Sequence, residues 1–467
     1  MSRINTNVSS LIAQRVLRKN NDSLGQSLER LSTGLRINKG ADDPAGLIAS
    51  ENLRSEKVGL TTAIGNAERA SNIIGTAEGG LSEVSSLLNE LQTLVGQAAN
   101  TGGLSDEEIE ANQLQVDSIL NTINRIAGAT SFQGQKLLNG NFGYSTSSVA
   151  TSAFDSLQVN AARLPDGAQV NVVVQVANSA TQAEVSFTGT VQSAVTLTVA
   201  GNLGTEQLAF ASGTALSAVA AGINALSDVT GVTAAASGTT LTFNSSGYGA
   251  SQFVSVTADK TFFSVAGGVS GRDEGSDAAV TVNGFAAQTD GKNVTFRTAN
   301  LDVEFVLSDD LNAGNSKTFG ITGGGATFAL GSKVGEADKA VIGIQNVSTG
   351  SLGDGTIGFL ADLASGKDKS LSSGSLVKAQ RVLDKAIKQV SQLRGRLGAF
   401  QKFTIGSTIN SLGVALENAS AAESAIRDTD FAVETAKLTR SQILAQASTT
   451  VLAQANSSPQ AALQLLG

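Results

Sequence analysis

Apolar residues recur every seven positions from Leu53 through Leu60, Ala67, Ile74, Leu81, Leu88 and Val95. Three residues on, a second row runs through Glu56, Ala63, Ala70, Ala77, Val84, Leu91 and Ala98, with Glu56 its one charge. A spacing of 3.5 residues marks a seam that packs against partner helices in a left-handed supercoil. The pattern predicts a single helix over 43–100, roughly 85 Å long at about 1.5 Å per residue. Asp43 supplies an N-terminal cap and Pro44 suits the first turn. Asn100-Thr101-Gly102-Gly103 supplies the stop. The alanine row lets partner backbones come close. Gly59, Gly65, Gly75, Gly79, Gly80 and Gly96 predict the same close packing, with a break at Gly79-Gly80 as the alternative.

A second helix follows the capping box that opens at Ser105, with Ile109, Val116 and Ile123 seven apart. The short connection predicts antiparallel neighbours. Phe132 to Gly140 reads as a turn leading into a hairpin. The missing partner for the long seam lies far along the chain. Leu376, Leu383, Val390 and Leu397 repeat in sevens, joined by Ala379, Ala386, Leu393 and Phe400; Ile405, Ile409, Leu412 and Leu416 continue after a phase shift. Each buried leucine there is worth about 1.5–3 kcal/mol.

The two ends differ from this bundle. Residues 1–42 carry Leu17, Leu24, Leu28, Leu31 and Leu35 on one helical face, and Ile4, Val8 and Leu11 on another. Alone they bury too little to offset their ordering entropy. Residues 421–467 place Phe431, Leu438, Ala445 and Leu452 in sevens and Ile426, Val433, Ile443, Leu444 and Val451 on other faces. A helix apolar nearly all round is buried all round. The two ends are therefore expected to be mobile in a lone chain and covered by copies of themselves.

Between the helical blocks, period-two alternation predicts half-buried antiparallel strands: 169–174, 195–199, 239–243, 293–296 and 303–307. Residues 215–226 read as a short amphipathic helix. The expected architecture is multidomain α + β: a long antiparallel coiled-coil-like helical bundle built from both chain ends, with a β-rich central insert. The expected divisions are terminal helices 1–42 and 421–467, a bundle of 43–144 and 367–420, and insert subdomains 145–270 and 271–366.

Composition narrows the chemistry. The 467 residues contain no cysteine and no histidine. That removes disulfides, thiol nucleophiles, the commonest metal ligand and the usual neutral-pH base. No His-Glu-x-x-His zinc protease signature is therefore possible. Charged residues make up 15% and the net charge is −8, which argues against a nucleic-acid partner. No apolar run is long enough to span a membrane. Polar residues interrupt the start of the chain, so a cleaved signal peptide is not expected. Gly366-Lys367 and Gly323-Gly324-Gly325 read as turns, not phosphate cradles. Asp273, Glu274, Asp277, Asp309 and Asp310 read as solvated loop acids ahead of cation ligands. Asn244 and Asn293 head Asn-x-Ser/Thr triplets common by chance. Arg30, Arg36, Arg394, Arg396 and Arg440 are candidates for ion pairs between subunits, against solvated helix faces. No catalytic constellation, metal site or cofactor is predicted.

Residues 27–38, Ser-Leu-Glu-Arg-Leu-Ser-Thr-Gly-Leu-Arg-Ile-Asn, followed by Ala41-Asp-Asp-Pro-Ala-Gly46, resemble the amino-terminal signature of bacterial flagellin. Arg427-Asp-Thr-Asp-Phe-Ala-Val-Glu434, Ser441-Gln-Ile-Leu-Ala-Gln-Ala447, Val451-Leu-Ala-Gln-Ala-Asn456 and the tail from Pro459 to Leu466 resemble its carboxy-terminal signature. Residues 201–257 are similar to a repeat of flagellin and hook-region inserts. The resemblance covers about 1–142 and 370–467. It implies an exported, self-assembling filament subunit of the extracellular bacterial flagellum, with chain ends in an inner tube, the bundle in an outer tube and the insert on the surface. It implies as partners other copies of the chain, the flagellar cap, hook–filament junction proteins and an export chaperone at the C-terminus. It also implies export without a cleaved signal, and allows O-linked sugars on the insert. Family members sensed by the flagellin-recognising Toll-like receptor carry an arginine where this chain has Glu90, beside a matching Leu94, which implies weak recognition. The alternatives are a hook–filament junction protein of the same family, a filament-borne adhesin function of the insert, and, outside the family, a cytoplasmic coiled-coil scaffold.

Overall fold

A computed structural model describes residues 6–464 apart from 101, 102, 104, 166, 167, 192, 193, 259–263, 266–270, 299, 312, 374 and 375. Ile4, Thr101-Gly102 of the expected stop and the end of the tail at Leu466 lie outside the described residues. The helices are α1 (Val8–Thr33), α2 (Pro44–Ala98), α3 (Asp106–Ala129), α4 (Leu216–Asn224), α5 (Ser227–Thr230), α6 (Leu376–Ala399), α7 (Ser407–Arg427) and α8 (Phe431–Gln464). Contacts divide the chain into two units. One holds Met1–Glu68, Ala329–Asp338 and Gly406–Gly467; the other holds Arg69–Phe328 and Lys339–Ile405.

α2 starts where its signals put it. The Asp43 carboxylate accepts the Gly46 N–H at 2.9 Å, satisfying an orphan donor of the first turn. The helix runs unbroken through Gly79-Gly80. Along its seam every position from Leu60 onward is buried, while Leu53 is half-buried and Glu56 exposed. Close packing explains only some of its glycines. A Cβ at Gly80 would lie 2.7 Å from Thr130 Oγ1 and 2.8 Å from Leu138 Cδ1, and one at Gly59 would lie 2.7 Å from the Ser332 carbonyl. At Gly65, Gly75, Gly79 and Gly96 an added Cβ would meet, among the described residues, nothing within 4 Å beyond the helix's own backbone, so packing within the chain does not require glycine there.

In the second unit, α6 runs antiparallel to the later part of α2. Arg394 pairs with Glu78 at 2.8 Å, and Gln401 donates to Ser71 Oγ at 2.9 Å. Leu383, Val390 and Leu397 are buried on this seam and Leu376 is half-buried. α3 opens with the expected capping box at Ser105. Its Gln113 holds the returning chain at two 3-10 turns, donating to the Leu363 carbonyl and accepting the Leu371 N–H, at 3.0 and 2.8 Å. After α3 a two-residue turn, Gln133-Gly134, joins the strands Ser131–Phe132 and Gln135–Lys136, and Leu137 and Leu138 are buried. In the first unit, α7 lies antiparallel to the start of α2 through Lys57–Glu423 and Arg427–Glu51, both 2.7 Å. Phe400–Gly406 is π-helical. Its wider turn inserts the phase change seen between Leu397 and Ile405.

Apart from Ala329–Asp338, the insert belongs to the second unit, where it folds as two sandwiches, one inserted in the sequence of the other. The first stacks a five-stranded sheet on a four-stranded one. The order in the larger sheet is Phe285–Ala286, Ala279–Val282, Val170–Asn178, Ser316–Gly324, Tyr144–Ser147. The order in the smaller is Gln288–Asp290, Asn293–Arg297, Leu301–Leu307, Phe154–Ala162. Val172, Val174 and Val176 alternate into a shared core, where Phe154 meets Phe305 and Phe319 edge-on at 5.4 and 5.8 Å. The second sandwich spans 183–274. Two four-stranded sheets and α4 enclose Phe187, Leu197, Ile223, Leu241 and Phe243. The consecutive division 145–270 and 271–366 therefore does not describe the cores, because strands before 178 and after 278 share one of them. Alternation locates strands but carries no information on which strands pair.

Candidate assembly surfaces

α1 and α8 pair antiparallel along most of their length. Small and polar side chains make the inner contact. Ser10 Oγ donates to Asn456 Oδ1 at 2.7 Å, Asn7 Nδ2 to the Ala455 carbonyl at 2.8 Å, and Asn20 Nδ2 to Ser448 Oγ at 2.7 Å. Ser10, Ala13, Ser27, Glu434 and Ser448 are buried. Glu434 anchors the wide end. It accepts from Ser27 Oγ at 2.7 Å, with Lys437 at 3.1 Å and Arg30 at 3.9 Å. Burial opposes its ionisation, but Ser27, Lys437 and Arg30 together outweigh that and hold the carboxyl below its usual range.

The two signature stretches meet at the elbow. Arg36 N–H donates to the Arg427 carbonyl at 2.7 Å, and Thr429 N–H to the Gly34 carbonyl at 2.9 Å. Asp42 ties the loop before α2 by accepting the Asn38 and Lys39 N–H groups at 3.0 and 2.9 Å, and these bonds lower its pKa. Ile37 is fully buried beneath it. Asp430 caps α8 by accepting the Ala432 and Val433 N–H groups.

The apolar residues expected at an assembly interface fall into two sets. Leu17, Leu24, Leu31, Leu35, Leu438 and Leu452 are half-buried. Leu28 is 50%, Phe431 57%, Leu444 46% and Val451 58% exposed. Val8, Leu11, Ile12, Val16, Val433 and Ile443 join them at the surface. So α1 is helical, with α8 of the same chain as its partner, but the pair covers only part of its apolar surface. Exposed apolar residues of this density mark an interaction face.

The heptad scan missed the inner contacts, because it tracks leucines and the pair is joined by serine, asparagine and one buried glutamate. Arg30, Arg36 and Arg394, candidates for pairing between subunits, find carboxylates within the chain at Glu434, Asp43 and Glu78. The insert acids also have local roles: Asp277 accepts the Gly291 and Ala250 N–H groups at 2.7 and 3.0 Å, and Asp309 pairs with Lys292. Glu90 is exposed on α2, whereas Leu94 is buried one residue before Val95 of the seam. Among the described residues no helix is long and apolar enough to cross a membrane.

A helix pair closed inside by small polar side chains and left apolar outside defines a subunit that packs against its own copies. Comparison with known proteins agrees. Residues 4–143 match the bacterial flagellin N-terminal helical region, 381–466 the bacterial flagellin C-terminal helical region, and 196–247 the flagellin hook IN motif. The chain is 30% identical to polar flagellin F of Vibrio parahaemolyticus over 468 residues and 32% identical to flagellin B of Vibrio cholerae over 464, covering 99% of both chains each time. Likeness to solved structures is slight: FliC from Burkholderia pseudomallei aligns over 71% of this chain and 99% of that one, with 16% identity and a TM-score of 0.25. The chain belongs to the bacterial flagellin family. It is a structural, self-assembling subunit of the extracellular flagellar filament, which serves motility.

Proposed function

We propose that the α1–α8 pair forms the inner tube of the filament, the α2, α3, α6 and α7 bundle the outer tube, and the insert the outward decoration. The observation that carries this is the exposed apolar face at Leu28, Phe431, Leu444 and Val451, on helices whose inner contact is already satisfied. Copies of the same chain cover that face and exclude water from it. The same greasy termini suit an export chaperone that holds α8 before secretion, and a cap and hook–filament junction proteins that meet the chain at the filament's two ends. The chain performs no catalysis. Glu90 in place of a basic residue, together with the buried Leu94, supports weak engagement by the innate receptor.

The test is the double variant Leu444→Asp/Val451→Asp. It places two charges on the proposed interface while leaving the serine and asparagine contacts intact. Monomer circular dichroism is expected to stay unchanged and filaments to be absent by electron microscopy. Normal filaments from this variant would refute burial of the α8 face.

A further inference from the structure

A trough runs along the outer face of strand Phe154–Ala162, against the loop 351–359 and α6. Two adjoining cavities of about 380 and 350 Å³ share Asp155, Ser156, Asn293, Asp354 and Lys385 as lining. Each falls within the usual size of a small-molecule pocket.

Its walls are pre-set. Gln389 on α6 clamps the loop with two bonds to Gly353, its Oε1 accepting the backbone N–H and its Nε2 donating to the carbonyl, both at 2.8 Å. Asp354 accepts the Ile357 N–H at 2.8 Å and pairs with Lys385 at 3.0 Å. At one end stands the Tyr248 ring, fixed by Lys292 Nζ 3.5 Å from its centroid and by its own hydroxyl, which donates to Asp309 at 2.9 Å. At the other end is the partly exposed Phe359 ring. Such fixed walls lower the ordering cost of binding.

The lining also selects a chemistry. Both lysines are already paired with aspartates. Asp155 and Asp290, which line the trough, have no side-chain hydrogen bond or ion pair among the described residues. Across the two cavities four acids, Asp155, Asp290, Glu304 and Asp354, face two lysines, so the site repels anions. Free carboxylates accept only, and therefore call for a ligand rich in hydroxyl donors. Tyr248 lines one end and Phe359 the other, and aromatic side chains suit the C–H faces of pyranose rings. We propose that this trough binds a short neutral oligosaccharide, with Asp155 and Asp290 accepting its hydroxyls and Tyr248 and Phe359 as end platforms.

The experiment uses the purified full-length monomer. The chain has no tryptophan and two tyrosines, Tyr144 and Tyr248, so in a Tyr144→Phe background tyrosine emission reports on Tyr248. Maltotriose and triacetylchitotriose are titrated, with sialyllactose as the anionic and spermidine as the cationic comparator. Saturation-transfer NMR is expected to show contact with at least one neutral trisaccharide, together with a change in tyrosine emission. Asp155→Asn and Asp290→Asn are each expected to weaken that binding about tenfold with unchanged circular dichroism, since each replaces a charged acceptor. Inert neutral sugars, spermidine binding alone, sialyllactose binding as tightly, or affinity undiminished in both variants would each overturn the proposal.

Discussion

Two leucines of opposite exposure separate folding from assembly. Leu81 on α2 is fully buried within its own chain, whereas Leu444 on α8 is 46% exposed. Leu81→Ala removes a packed side chain and leaves a cavity, at a cost of about 2–5 kcal/mol of monomer stability. Leu444→Ala leaves the monomer within about 0.5 kcal/mol of the parent, as for a surface site. On the proposed packing, neighbouring subunits cover the exposed 46% of Leu444; with full burial worth about 1.5–3 kcal/mol, the loss is about 0.7–1.4 kcal/mol per subunit. That difference raises the critical concentration for polymerisation about threefold to tenfold. Urea unfolding followed by circular dichroism reads the first effect, and sedimentation of polymer at a series of concentrations reads the second. The reasoning fails if Leu444→Ala destabilises the monomer as much as Leu81→Ala, or if it leaves the critical concentration unchanged.

Three further outcomes follow from local geometry. Gly79→Ala should stabilise the monomer by about 0.5–1 kcal/mol, since it removes glycine's entropy cost in open space, while Gly80→Ala should destabilise it by about 1–2 kcal/mol through the clash with Thr130 and Leu138, both read by urea unfolding. The Asp277 carboxyl is held below its usual range by the Gly291 and then the Ala250 N–H groups; a depressed folded pKa gives stability present above about pH 4 and lost as pH falls through the folded value, so Asp277→Asn should flatten the acid limb of insert unfolding in a pH series. Asn224→Ala should lower insert stability by about 1–3 kcal/mol in thermal unfolding, because the Asn224 amide bonds both the N–H and the carbonyl of Ala234 at 2.7 and 2.9 Å on an edge strand.

Much of the helical part was legible from residues alone. The seam from Leu60 to Ala98, the Asp43-Pro44 start and the Ser105 capping box are short-range patterns, and each fixes a local geometry. The phase shift after Leu397 is visible in the residues, whereas the π-helical turn that produces it is not. What stayed hidden depends on distant partners. The nesting of 183–274 within the first sandwich rests on the pairing of Val170–Asn178 with Ala279–Val282, whose partners are all over a hundred residues apart, and alternation does not encode that. At the ends, the leucines announced an apolar surface, but Asn20 and Ser448 were not singled out, and Ser27 and Glu434 stood only within signature stretches, with no contact assigned to them. Polar residues at a helix contact look like solvated faces until a partner is known. Gly80 and Gly79 are likewise indistinguishable in sequence, because only the neighbouring Thr130 and Leu138 separate them.

Accessibility of α8 in the two states is the decisive quantity. The chain contains no cysteine, so Ile443→Cys, at a position 64% exposed, introduces a single thiol on the proposed interface. Maleimide labelling should be rapid in the monomer and slowed at least about tenfold once filaments form, as burial removes the thiol from water. Equal labelling rates in monomer and filament would show that neighbouring subunits leave this face uncovered.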